Sequence, residues 1–476
     1  MNTKNVTYLS RWWALFLLPV ITFIFFVVAG YGWEFYKEEI DLFCAADKVQ
    51  SWRDILTFFL DGNASGNAHP SNYVAPPLTV FSSFYRPLLF VSAYVQYVLF
   101  GMRPYLHYII SIAFHCCTIP VMYIWLTRWI SSAIAAAACT LLALHPAWAL
   151  WIGSPNMQQY TVNTLLIVLI ALSAHNFVLK KSWYDLLAVA GMSIVSIFYR
   201  ETMVVAPFFV VMLAMGLSAH RRALIVLSAV LSLISAGYVA CKLFLYPLSA
   251  PGAVSSSFTN MHHSIVSFLG QIKLFISDFC ALSWFPQGYS LIKGFVLVAM
   301  LSAAFLLWRP SAYKWQLGYA ALGMFFLLWP AFLIGYFSPS RYFYEASPAY
   351  FLLVGLLFEG QGRRVVRWGC IILFMCLSGS LVYTWHTIYE RKKAPALFAA
   401  ALAPLRNNEV IKHNALCFVG FPSHLCSTGI AQQMWLYRMN DYHSIYVVDT
   451  MEQAAEYDAV LIGWDDKNYN FSKGRF

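Results

Sequence analysis

Four carboxylates lie within eight residues of one another, directly after an apolar segment long enough to cross a membrane: Glu34, Glu38, Glu39 and Asp41. Acidic groups at a membrane boundary usually serve a polar site there. A carboxylate held beside a reacting hydroxyl acts as a general base. The adjacent pair Glu38 and Glu39 is the first candidate for this chemistry, although a solvated helix start, whose dipole favours acids, would also place acidic residues here.

Arginine follows or precedes tyrosine in three further motifs. These are Tyr-Arg-Pro at 85–87, Tyr-Arg-Glu at 199–201 and Ser-Arg-Tyr-Phe-Tyr at 340–344, so that the basic residues are Arg86, Arg200 and Arg341. Two of these motifs also have a structural interpretation. Arg200 could pair with its neighbour Glu201, and Arg341 could be a cation–π or snorkelling anchor.

The composition identifies the elements that position these residues as membrane helices. Of 476 residues, 60% are hydrophobic and 11% are charged, whereas about a quarter of the residues of a soluble protein are charged. Apolar segments near the ~20 residues that a bilayer requires predict about eleven transmembrane helices. They lie at 13–31, 104–126, 131–150, 157–178, 182–199, 203–219, 223–247, 288–307, 316–336, 345–359 and 367–386.

The basic residues predict the orientation. The net charge of +10 is dispersed in short clusters between the predicted spans, which indicates orientation in the membrane and not nucleic-acid binding. If the N-terminus is cytoplasmic and the short apolar segment 86–101 is an interfacial helix, the clusters at Arg128, Lys180 and Lys181 are also cytoplasmic. The acidic run and the three arginine motifs then share the outer face.

The predicted fold class is an all-α polytopic membrane protein with a small C-terminal α/β domain. Residues 1–387 form the transmembrane domain, with outer loops at 32–103, which carries interfacial helices, and at 248–287. Residues 388–476 form the extracytoplasmic α/β domain, with strands predicted at 415–421, 444–448 and 459–463 and helices at 395–403 and 428–439.

The order of these motifs resembles that of the GT-C superfamily of membrane glycosyltransferases, in the subgroup of protein O-mannosyltransferase-like and lipid A aminoarabinose transferase-like proteins. The resemblance extends over about residues 30–360. It comprises the acidic pair, the Tyr-Arg-Pro-Leu motif at 85–88, His115 within a span, Leu-His-Pro at 144–146, the Tyr-Arg-Glu-Thr step at 199–202 and the Arg-Tyr-x-Tyr loop at 341–344.

The resemblance implies a GT-C-like fold and a transferase that moves a sugar from a polyprenyl-phosphate donor to a glycan acceptor. The implied location is the bacterial inner membrane, with membrane lipids around the helices and the active site facing the periplasm. A cell-surface polysaccharide such as O-antigen is the acceptor we expect, because the C-terminal segment is small and resembles no protein-binding repeat. We expect no nucleic-acid partner.

Site residues follow from the same resemblance. Glu39 is implied as the general base with Glu38 beside it, or the reverse. Arg341 is implied as the ligand of the donor phosphate, with Arg86 and Arg200 as secondary candidates and with Tyr342 and Tyr344 lining the lipid-phosphate pocket. The supporting residues are Asp41, Glu201, His145 and Asn156.

No cofactor is required by this scheme, and a divalent metal stays open. Several relatives carry an aspartate where this chain offers Asn156 or Gln158, and a neutral amide is a poor cation ligand compared with carboxylate. The histidines, His145 included, lack ligand-like spacing and are interpreted as interface residues.

Two other classes are compatible with parts of the sequence. A flippase or transporter of polyprenyl-linked glycans would also have many helices, but transporters place their charges near the midplane and show repeated halves. An O-antigen polymerase or ligase would also use arginines on outer loops, but would not usually begin with an acidic pair after the first helix.

Overall fold

The fold is mostly helical, as seen in a computed structural model of the chain. The structure describes residues 9–31, 49, 51–60, 86–101, 103–145, 152, 154, 157–215, 221–245, 314–334, 339–359, 382, 385–386, 388–389, 416–419, 445–448, 460–465 and 470–473. Four of the described helices are long and apolar enough to cross a membrane: Leu9–Ala29, Pro104–Leu126, Gln158–Lys180 and Arg222–Cys241. The chain is therefore a membrane protein, as its composition predicts.

Helices coincide with most of the predicted spans. In chain order they are α1 (Leu18–Ala29, preceded by a π-helical turn, Trp13–Leu17), α2 (Trp52–Leu60), α3 (Pro87–Phe100), α4 (Pro104–Leu126), α5 (Ser132–Leu144), α6 (Gln158–Lys180), α7 (Trp183–Tyr199), α8 (Ala206–Met215), α9 (Arg221–Leu245), α10 (Lys314–Ile334) and α11 (Pro339–Phe358). The predicted spans at 288–307 and, for the most part, 367–386 lie outside the described residues, so the total of about eleven stays a prediction.

The segment predicted to be interfacial forms α3. This helix has 14 residues, which at 1.5 Å per residue is about 21 Å, shorter than the ~30 Å hydrocarbon core. Pro87 suits the first helical position, where its missing N–H costs nothing. The interfacial position of residues 86–101 stays a prediction.

The chain divides into two compact units. The first comprises residues 1–29, 110–153 and 157–387, and the second comprises 30–109, 154–156 and 388–476. Within the first unit α6 is central: it packs against α7 and α11, and α11 also packs against α5 and α10. Helices α8 and α10 approach closely at Gly323, where a Cβ atom would lie 2.7 Å from a ring carbon of Phe209, and membrane helices commonly use such small residues at close contacts.

The second unit contains a four-stranded sheet. Its strands are β1 (Leu416–Val419), β2 (Ile445–Val448), β3 (Val460–Asp465) and β4 (Asn470–Lys473), in the order β2-β1-β3-β4. The β1 strand pairs in parallel with β2 and with β3, whereas β3 pairs antiparallel with β4. The first three strands lie where the sequence predicts them, and β4 was not predicted. The helices predicted at 395–403 and 428–439 lie outside the described residues, so the α/β character of this segment and its domain boundary stay predictions.

Candidate functional site

A buried ion pair lies at the meeting point of three helices of the first unit. Arg200 Nη1 is 2.6 Å from Glu345 Oε1, and both side chains are 1% exposed. The guanidinium carbon of Arg200 is 3.8 Å from the ring centroid of Tyr160, a cation–π distance. Removing two charges from water is costly unless they are paired. The candidate site is therefore described around this ion pair.

The backbone places Arg200 at a break between two helices. Helix α7 ends at Tyr199, Arg200 is extended (φ −160°, ψ 123°), and a 3₁₀ helix, Glu201–Val205, follows. The Arg200 N–H donates to the Ser196 carbonyl at 3.0 Å, and the Arg200 carbonyl accepts from the Met203 N–H at 3.0 Å. Both polar backbone groups are thus satisfied, which apolar surroundings require.

The backbone hydrogen bonds of α11 are interrupted next to Glu345. Pro348 lies inside the helix and has no N–H to donate to the carbonyl of Tyr344, four residues earlier. Two hydroxyls replace the missing donor: Ser347 Oγ at 2.6 Å and Thr164 Oγ1, from α6, at 3.2 Å. This arrangement connects α11 to α6 next to Glu345.

The Tyr344 hydroxyl is anchored on the side of α4. His115 Nε2 contacts the Ala143 carbonyl at 3.2 Å, and its Nδ1 contacts the Tyr344 hydroxyl. Because a carbonyl can only accept, the hydrogen of a neutral His115 lies on Nε2, and the Tyr344 O–H donates to Nδ1. The Tyr344 side chain is buried, so it holds α11 against α4 and α5.

A second polar contact joins α6 and α7 about one helical turn away from the ion pair. Ser196 Oγ donates to Asn163 Oδ1 at 3.2 Å. Ser196 precedes Arg200 by one turn, and Asn163 follows Tyr160 by one turn. The first turns of α6 also bury Gln158, Gln159 and Thr161, so a polar band extends from the ion pair along the start of α6.

Three of the site residues predicted from the sequence have described side chains in the first unit. Arg200 and Tyr344 lie in the arrangement above, and His145 is buried directly after α5. In the second unit, Arg86 is half-buried and directly precedes α3. Arg341 and Tyr342 lie in the first turns of α11, where the structure gives the backbone; Arg341 is thus one turn before Glu345.

The remaining candidates lie outside the described residues or side chains. Glu38, Glu39, Asp41 and Asn156 belong to undescribed segments, and the same holds for the side chain of Glu201. Among the residues that the structure does describe, no group of three or more His, Cys, Asp or Glu side chains could hold a metal ion. The role of a metal therefore stays open.

Sequence reasoning missed Glu345 and Tyr160. It considered the neighbour Glu201 as the partner of Arg200, whereas the structure pairs Arg200 with Glu345. A signal for Glu345 was available, because it is a carboxylate directly after the Arg-Tyr-x-Tyr motif in a predicted membrane span, and ionisable residues in such segments are usually functional or paired.

The fold is similar to that of a solved structure over nearly the whole chain. The chain is similar to the crystal structure of ArnT from Cupriavidus metallidurans bound to undecaprenyl phosphate, with a TM-score of 0.55 and 13% sequence identity over 95% of this chain and 93% of that chain. No protein-family model and no curated protein sequence matches the chain. At this identity the similarity establishes the fold, as the resemblance in the motifs predicted.

Proposed function

We propose that the protein is a membrane glycosyltransferase that takes a sugar from a polyprenyl-phosphate donor and passes it to an extracytoplasmic glycan. The observation that carries the proposal is the buried Arg200, held by Glu345 and Tyr160 in a chain with the fold of ArnT. ArnT was crystallised with undecaprenyl phosphate, which supports a donor of this class. The proposed acceptor is a cell-surface polysaccharide such as O-antigen.

The proposed chemistry begins with the acceptor hydroxyl. Glu39, or Glu38 beside it, removes the hydroxyl proton while the oxygen attacks the anomeric carbon of the donor sugar. The bond from that carbon to the phosphate oxygen breaks, and the polyprenyl phosphate leaves with the electron pair. Positioned carboxylates typically accelerate such steps by about 10²- to 10⁴-fold.

The arginines are proposed to stabilise the leaving group. Phosphate gains negative charge as the bond breaks, so a fixed guanidinium stabilises the transition state more than the ground state. Arg341 lies one turn before Glu345 in α11, a turn being about 5.4 Å along the axis. The ion pair with Glu345 therefore holds Arg200, which follows α7, next to the helix that carries Arg341. We assign both arginines to one proposed phosphate site, with Arg86 as a further candidate.

Sugar transfer by an Arg341→Ala variant tests this proposal. We expect transfer from a polyprenyl-phosphate sugar to cell-envelope glycan to fall by about 10²- to 10³-fold in kcat, the usual loss when one transition-state donor is removed. The matched control is Arg222→Ala, at an exposed arginine of α9, which should retain wild-type transfer. Equal rates in the wild type and the Arg341→Ala variant would remove the proposed role, and absence of transfer by the wild type with every donor of this class would remove the proposed function.

The proposed orientation gives a separate prediction. In a cysteine-free background, Ser257→Cys in the loop 248–287 should react with a membrane-impermeant maleimide in right-side-out vesicles. Lys181→Cys, next to α6, should react after permeabilisation and not before. The opposite labelling pattern would reverse the orientation and place the acidic run on the cytoplasmic face.

A further inference from the structure

A second cluster comprises Trp125 and Trp129, at or just after the end of α4, and His175 and Asn176, near the end of α6; the contact between Trp129 and His175 joins the two segments. Trp125, Trp129, His175 and Asn176 each have a buried side-chain nitrogen or oxygen atom without a hydrogen-bond partner among the described residues. The rings of Trp129 and His175 are in edge contact, with centroids 5.5 Å apart and planes at 79°. Trp129 is held in place by its backbone N–H, which donates to the Leu126 carbonyl at 2.8 Å.

This concentration of unpaired atoms is unusual. Elsewhere among the described residues, buried atoms of this kind include Thr22 Oγ1 and Asn163 Nδ2. Each buried polar group without a partner costs about 1–3 kcal/mol, and native proteins contain few of them. For Trp129 and Asn176, a molecule outside the protein chain would supply the missing partners.

The surroundings of the cluster are positively charged. Arg128 is exposed, and its charge interacts electrostatically with His175. Lys180 and Lys181 follow at the end of α6 and are exposed. The carboxylate of Glu359 is engaged elsewhere, because it accepts the Ser131 N–H at 2.7 Å and so caps the start of α5.

The cluster also lies at a membrane boundary. It is formed at the ends of two helices capable of spanning a bilayer, Pro104–Leu126 and Gln158–Lys180. Tryptophan is enriched at such boundaries. Ile124 and Leu179, which flank the cluster along α4 and α6, are exposed apolar side chains and would contact acyl chains there.

We propose that this junction binds the headgroup of an anionic glycerophospholipid in the leaflet opposite to the proposed active site. The phosphate oxygens accept hydrogen bonds from the Trp129 indole N–H and the Arg128 guanidinium. A hydroxyl of the headgroup donates to Asn176 Oδ1, an acceptor that a bare phosphate dianion would leave unpaired. The acyl chains lie against Ile124 and Leu179, so the proposed ligand is a lipid and not free phosphate.

Native mass spectrometry of the delipidated full-length protein tests the proposal. We expect one phosphatidylglycerol molecule to bind more tightly than phosphatidylcholine, whose headgroup lacks the hydroxyl donor. Trp129→Phe keeps the ring and removes one hydrogen bond, so affinity for phosphatidylglycerol should fall by about 2- to 10-fold. Arg128→Gln removes a charged contact and should reduce affinity by about 10-fold or more.

Matched substitutions at exposed positions distinguish a specific lipid site from nonspecific binding of anionic lipid to the protein surface. Trp183→Phe, at the exposed start of α7, and Arg222→Gln, at the exposed start of α9, should leave phosphatidylglycerol binding unchanged. Equal losses in these controls, equal binding of the two lipids, or full affinity in both site variants would overturn the proposal in favour of unspecific lipid or a buried water. Displacement of the lipid by inorganic phosphate at equal concentration would also overturn it, because the site would then be one for free phosphate.

Discussion

Glu39→Gln should reduce the rate of sugar transfer by about 10²- to 10⁴-fold, the range that a positioned general base typically contributes. The amide has nearly the same size as the carboxylate but cannot accept the proton of the acceptor hydroxyl. The loss should appear in kcat with little change in the KM of the donor, because the interaction is made as the proton moves. Steady-state kinetics with a polyprenyl-phosphate sugar measure both constants.

Two neighbouring substitutions make this test specific. Glu34→Gln removes one charge from the same acidic run and should leave kcat near the wild-type value. Glu38→Gln distinguishes the two adjacent candidates, since the larger loss identifies the base. Wild-type kcat in both the Glu38→Gln and Glu39→Gln variants would exclude the acidic pair from catalysis while leaving the fold assignment intact.

Glu345→Ala should strongly destabilise the folded protein. It leaves the Arg200 guanidinium charged and buried, and breaking such a pair typically costs about 3–5 kcal/mol. The purified protein in detergent should therefore unfold at a markedly lower temperature. A fluorescence thermal-unfolding measurement without added donor gives this shift independently of any transfer activity.

A double variant separates the stabilising role of the pair from its proposed role in binding phosphate. Arg200→Met combined with Glu345→Leu removes both charges, and such apolar replacements are often neutral or stabilising. We expect thermal stability to recover while transfer stays impaired, because no guanidinium remains at position 200. Asp185→Ala, in the first turn of α7, is the control; loss of its interaction with the helix dipole should cost less than about 1 kcal/mol. A Glu345→Ala variant as stable as that control would contradict this account of the pair.

The spanning helices and three of the strands were predictable because the signals are local. Apolar length identifies a membrane helix, as for Pro104–Leu126 and Gln158–Lys180. Short runs of β-branched and aromatic residues identify strands such as Ile445–Val448. The fourth strand, Asn470–Lys473, has one aromatic residue and no β-branched residue, which explains why pattern reasoning overlooked it.

The partners within the site were less predictable because they join distant parts of the chain. Adjacency suggested Glu201 for Arg200, because the sequence alone shows only which residues are neighbours along the chain. The observed contact depends on how α7 and α11 pack against α6, which brings Glu345 and Tyr160 to the same guanidinium. Periodicity specifies which face of a helix is apolar, but not which two helices place their charged residues in contact.

Pro348 leaves the Tyr344 carbonyl without a backbone donor, and two hydroxyls contact that carbonyl in its place, Ser347 Oγ from the same helix and Thr164 Oγ1 from α6. With any other residue at position 348, a backbone N–H of α11 could also donate to this carbonyl and would compete with the hydroxyl from α6. The proline thus keeps that carbonyl accessible to the Thr164 hydroxyl, and this contact favours one register between α11 and α6. A substitution at position 348, which removes no charge and lies about one turn after Glu345, can thus alter where Glu345 meets Arg200.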